Sequence, residues 1–206
     1  MRFGTAFEKR DKALFAFFML TGARDGAVAS LKIKHVNLES QHVFQDGREV
    51  KTKASKTIDA YFFPVGGDYL ATFKQWMEYL RSVKLFGPED ALFPKADVGV
   101  APGGGFAVLG LSRHGYANGS KLNGIIRAAF ALVQMPQYTP HSFRKTLVLH
   151  GDQICTSMEE RKAWSMNLGH DNIVTTVTSY LPVTKQRQAE LIGGMSDLKA
   201  VNTVGA

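Results

Sequence analysis

Apolar positions along this chain fall into segments of distinct period, and the periods predict the elements. Residues 8–21, with the run "ALFAFFML" (13–20), are apolar on nearly every side, as a core helix would be, and Gly22 is placed to end it. "RDGAVASLK" (24–32) predicts a second, shorter helix, with Arg24 at the junction. From Val36 to Val65 the pattern turns to β-branched and aromatic residues interrupted by "QDG" and "KASK", which predicts two or three short antiparallel strands. Leu70, Phe73, Met77 and Leu80 return to helical spacing, which assigns Trp76 and Tyr79 to core or rim. The Gly- and Pro-rich stretch 87–120 predicts a long surface loop. Its glycines are not followed by the Gly-Lys-Ser/Thr of a phosphate cradle, so no nucleotide site is expected.

Leu122, Ile125, Ile126, Ala129 and Val133 mark an amphipathic helix, and Thr139 with Pro140 opens the next. Thr156 and Glu159 form a capping-box pattern for a helix ending near "NLGH", with Gly169 as its C-terminal cap. A short helix is expected over 171–180 and a last one over 184–192, before a "GGM" break and a tail, about 194–206, expected to be disordered. The prediction is an α+β fold: one mainly helical domain over 1–206 with a small antiparallel sheet and no internal repeat.

Composition narrows the partner. Lys and Arg number 25 against 18 Asp and Glu, a net charge of +7, which favours a polyanion, nucleic acid ahead of a membrane surface. The strongest apolar run is too short to span a bilayer, and no export signal precedes it. Cys155 is the single cysteine, which excludes an internal disulfide and a multi-cysteine zinc site and fits a reducing cytoplasm; its plain reading is a small buried hydrophobe.

The chemistry is carried by four islands. In "TPHSFRKTL" (139–147), His141 and Arg144 sit three apart at a helix start, where free N–H groups and the helix dipole favour an anion. The others are "TGARDGAVASLKIKHV" (21–36), "VKTKASKT" (50–57) and "NLGHDNIVTTVTSY" (167–180). Taken singly, each has a plain alternative: a solvated turn, a helix-end cation at Arg24, a turn residue at His170, a packed ring at Tyr180.

Together and in this order, the islands resemble the catalytic domain of the tyrosine recombinases, the phage-type integrases, over roughly residues 8–193. The resemblance identifies Arg24 with the family's first arginine, His141 and Arg144 with its His-x-x-Arg box, His170 with its Leu-Gly-His box and Tyr180 with its nucleophile. The family's strand-turn lysine falls among Lys51, Lys53 and Lys56; "KASK" is similar to its lysine-turn-lysine pattern, which selects Lys53. Two positions depart from the pattern: Tyr180 follows His170 by ten positions, one more than in many members, and Ala27 stands where an acidic residue is common. Members usually carry a DNA-clamping domain ahead of this one, and its absence from the sequence implies a fragment.

What the resemblance implies is site-specific cleavage and rejoining of double-stranded DNA through a 3′-phosphotyrosyl link, as in phage or mobile-element integrases, without metal, cofactor or small-molecule substrate. It also implies self-assembly on DNA through "TKQRQAELIGGM", with Leu191 and Ile192 as anchors, although packing back onto the same domain is the plainer alternative. Competing readings are a basic DNA-binding module without activity and a type IB topoisomerase-like enzyme.

Overall fold

The computed structural model describes residues 5–180 and 183–201, with the Tyr180 and 196–201 side chains outside the description. The first helix, α1 (Ala6–Thr21), opens with a capping box in which Thr5 Oγ1 accepts from the Glu8 backbone and the Glu8 carboxylate accepts from the Thr5 N–H. Ala13, Leu14, Phe17 and Phe18 are sealed from solvent, so α1 is the core helix its run of apolar residues predicts. Against it lie Phe73, Trp76 and Met77 of α3 (Gly67–Glu78), Leu122 and Ile126 of α4 (Ser120–Leu132) and Phe143 of α5 (Pro140–Ile154). Phe17 bridges layers, its ring 5.0 Å from Phe73 and 5.4 Å from Phe93. Trp76 is core, its indole N–H donating to the Leu92 carbonyl at 3.0 Å.

After α2 (Asp25–Ser30), strands β1 (Val36–Asn37), β2 (His42–Gln45) and β3 (Ile58–Tyr61) form the expected antiparallel sheet in the order β1-β2-β3. Val43 pairs with Val36 on one side and Ala60 on the other, all three buried, while Asp59 and Tyr61 face outward. Helices α6 (Met158–Asn167), α7 (Ile173–Tyr180) and α8 (Lys185–Val201) follow α5. A second apolar cluster of Phe63, Leu147, Val148 and Leu168 joins α5 to the end of α6.

The structure corrects the sequence reading at four places. The stretch 87–120 is not all loop: β4 (Ala96–Val100) and β5 (Phe106–Leu111) form an antiparallel hairpin within it. Its glycines make the turn, Gly104 and Gly105 taking positive φ while the Ala101 N–H donates to the Gly105 carbonyl at 2.9 Å, and the flanking residues are β-formers. Helix α4 stops at Leu132, leaving Val133 an exposed cap residue. The cap of α6 is Ser157 with Glu160, one residue beyond the expected pair, and the same carboxylate also takes the Thr156 N–H at 2.5 Å. Helix α8 runs through Gly193 and Gly194, where strong helix formers on both sides outweigh a cost of about 1 kcal/mol per glycine. Of the tail expected to be disordered, residues 202–206 and the side chains of 196–201 lie outside the description.

Candidate active site

The site assembles where α1, α5 and α6 meet. Gly22 ends α1 in the left-handed conformation (φ 57°), and a β-carbon there would come within 2.7 Å of Leu168 and 2.9 Å of Leu147. This close approach lets Arg144, on the first turns of α5, reach both helix ends. Its guanidinium donates to the Gly22 carbonyl and, at 2.8 Å, to the Leu168 carbonyl. Arg144 is 5% exposed, so a cation that would be costly to bury is held by two orphan helix-end carbonyls.

Arg24 follows Gly22 by two residues in extended conformation and caps α2 with its backbone, Val28 N–H donating to its carbonyl at 3.0 Å. Arg24 and Arg144 together line an open cleft of about 410 Å³ whose wall also includes His141, Asp25, Asn123 and Arg127. The expected pair on α5 thus shares a cleft with Arg24, though unequally: His141 is exposed and Arg144 buried. Asp25, the one acid in that wall, is occupied by the Gly26 N–H and the Asn123 amide, both at 2.8 Å. Arg127 and Asn123 lie one turn apart on α4; the sequence reading missed them because their helix carries no motif.

Lys53 lines an adjoining crevice with Arg24, Arg144 and Thr52. It opens a tight 3-10 turn over Lys53–Ser55 in which Ala54 and Ser55 take positive φ. Two contacts hold the turn: Thr52 Oγ1 donates to the Lys56 carbonyl at 2.6 Å, and Gly47 passes so close that a β-carbon would meet Ser55 O at 1.9 Å. The other two lysines are engaged elsewhere. Lys51 Nζ donates to the Ala117 carbonyl at 2.5 Å, and Lys56 Nζ pairs with Asp171.

His170 follows Gly169, which takes the expected left-handed conformation after α6, and is 6% exposed. Its Nε2 lies 3.0 Å from Arg144 Nη2 and its Nδ1 2.8 Å from Thr176 Oγ1 on α7. Guanidinium cannot accept, so Nε2 carries the lone pair and the proton sits on Nδ1. Burial, then Arg144, Arg24 and Lys56, outweigh Asp171 and push the His170 pKa down to about 4. Tyr180 is the last residue of α7; its side chain, and so its distance to the cleft, is outside the described residues. Five of the six expected residues therefore converge by described geometry. Cys155 is buried, with its thiol pKa raised by burial, as its plain reading requires. Among the described residues no His, Cys, Asp and Glu cluster could hold a metal, and no helix is long and apolar enough to cross a membrane.

A helical domain sets two arginines and a histidine along one cleft, a turn-borne lysine in the adjoining crevice and a second histidine against Arg144, and comparison supplies the class. Residues 3–187 match the Phage integrase family, and the chain belongs to that family. Among solved structures it is similar to XerA recombinase (TM-score 0.60, 17% identity, 92% of this chain and 57% of that one). It is also similar to XerH site-specific recombinase bound to a palindromic difH substrate in a post-cleavage complex (0.60, 16%, 93% and 47%). A third is the Tn1549 transposon integrase, residues 82–397 with Y379F, in complex with transposon right end DNA (0.52, 16%, 94% and 61%). The chain thus spans about half to three-fifths of those structures. No curated protein matches the sequence.

Proposed function

We propose that this chain cuts and rejoins double-stranded DNA at specific sites through a 3′-phosphotyrosyl intermediate on Tyr180. The observation that carries the reading is the shared cleft of Arg24, His141 and Arg144, with Lys53 in the adjoining crevice and His170 bonded to Arg144. DNA as the partner is supported by the +7 charge and by family relatives whose structures contain it.

In this reading the Tyr180 hydroxyl oxygen attacks the scissile phosphorus, its proton passing to His141, while the bond to the 5′-oxygen breaks. Lys53 protonates that oxygen as it leaves, giving a free 5′-hydroxyl. Negative charge on the non-bridging oxygens is met by the planar forks of Arg24 and Arg144 and by His170. Because the phosphotyrosyl link keeps the energy of the broken bond, a 5′-hydroxyl reverses the step without an external energy source. Self-assembly is proposed through α8, whose Leu191, Ile192 and Met195 are exposed on the free protein.

A nicked duplex whose short fragment escapes after cleavage tests the proposal. The expected result is a covalent protein–DNA adduct mapping to Tyr180 and absent from Tyr180→Phe, which still binds DNA. Binding with no adduct would leave a DNA-binding module, and an adduct on another residue would remove Tyr180 from the role. Relaxation of supercoiled plasmid without sequence preference would instead favour topoisomerase-like chemistry.

A further inference from the structure

The reading above gives no role to a buried hydroxyl beside His170. Thr176 is 7% exposed on the inner face of α7, and its hydroxyl contacts His170 Nδ1 at 2.8 Å and Ser165 Oγ at 2.7 Å. Ser165, on α6, is 1% exposed. Since His170 Nε2 must accept from Arg144, Nδ1–H donates to the Thr176 oxygen, and the Ser165 bond fixes that oxygen whichever hydroxyl donates. The three bonds link α5, α6 and α7 in one buried chain, and Thr176 is the only member on the helix that carries Tyr180. Residues 176 and 180 are one helical turn apart along α7.

We infer that Thr176 is a positioning residue with two effects: by accepting from Nδ1–H its hydroxyl keeps the His170 ring turned with Nε2 against Arg144, and with it the Nδ1–H tautomer that Arg144 imposes, and it sets the depth of α7, and so of Tyr180, against Arg144. The tautomer matters because it leaves Nε2, the nitrogen beside the arginine, as the one whose proton occupancy can change when phosphate arrives. Nδ1–H stays on Thr176 throughout, so the ring need not turn. A valine here would keep the packing of a β-branched side chain and remove the hydroxyl's bonds to His170 and Ser165, leaving the ring free to turn from Arg144 so that either nitrogen can carry the proton. The second effect rests on the proposed role of Tyr180; the first does not.

The test compares Thr176→Val with Thr176→Ser in the full chain. In the free protein, ¹⁵N spectra of the His170 ring are expected to show Nδ1–H in wild type and in Thr176→Ser, and mixed tautomers in Thr176→Val. With the nicked duplex at saturation, Thr176→Val should form adduct about tenfold more slowly, the effect of one lost buried hydrogen bond. Duplex affinity should be unchanged, and Thr176→Ser should cut near the wild-type rate. An unchanged tautomer and rate in Thr176→Val, or equal impairment in Thr176→Ser, would overturn the inference. If Thr176→Val does not fold, Ser165→Ala, which unties the same hydroxyl at its other end, is read in the same way. A wild type that forms no adduct would remove the proposed function, while the ring spectra would still decide whether Thr176 holds His170.

Discussion

Replacing His170 with Gln should flatten the stability of the free protein against pH. The native imidazole resists protonation down to about pH 4, whereas in an unfolded chain it takes up a proton near the ordinary 6.5. Between those values the unfolded state binds the extra proton, so stability present above pH 6.5 is lost as pH falls toward 4. At about 1.4 kcal/mol per pH unit for one proton, the full loss is roughly 3 kcal/mol. Glutamine fills a similar volume and can accept from Arg144 without titrating, so it should cost stability at pH 7 but lose less of it on acidification. Urea unfolding at half-unit steps from pH 7.5 to 4 would measure both curves, and their gap should close by that amount. Asp46, held near pKa 2 by Arg48, and His35, lowered chiefly by burial, titrate alike in both proteins and cancel in the comparison. Parallel curves would mean that His170 is not the buried, arginine-flanked neutral group described above.

Two further outcomes are expected. Lys53→Ala should slow cleavage of an ordinary phosphodiester and be largely rescued by a 5′-bridging phosphorothiolate, whose sulfur leaves without a proton; Lys51→Ala and Lys56→Ala should show no selective rescue, and a rescue confined to either would move the acid there. Removal of residues 183–206 should leave the thermal midpoint of the free protein unchanged, since 183–195 are exposed, while lowering multimer formation on DNA in sedimentation; unfolding on truncation would assign the segment to its own domain instead.

The core helices and the three-stranded sheet were legible because each buries a periodic apolar stripe or alternates, the later helices by their caps and breaks, and the islands because their order is informative. What escaped had physical reasons. The β4–β5 hairpin packs few of its residues, so Val98, Val100, Phe106 and Val108 stay exposed and the segment's glycines dominate its composition. The positions of Lys51 and Lys56 depend on partners 66 and 115 residues away, Ala117 and Asp171, which local pattern cannot supply. Ser165 and Thr176 look like ordinary helix residues until α6 and α7 are packed together.

Arg144 ties the end of α1 to the end of α6 by its two carbonyl contacts, before any phosphate is present. Under the proposed function, fold and chemistry would come under selection through one side chain. Cutting either tie leaves a buried carbonyl without its donor, at a cost of about 1–3 kcal/mol, a sizeable part of the stability of a single domain. A descendant that stopped cutting DNA would still be held to arginine at this position, while a residue needed for chemistry alone would be free to drift. If the proposed function holds, retention of this arginine among diverged relatives would record that the domain folds, and the tyrosine would be the better witness to cutting.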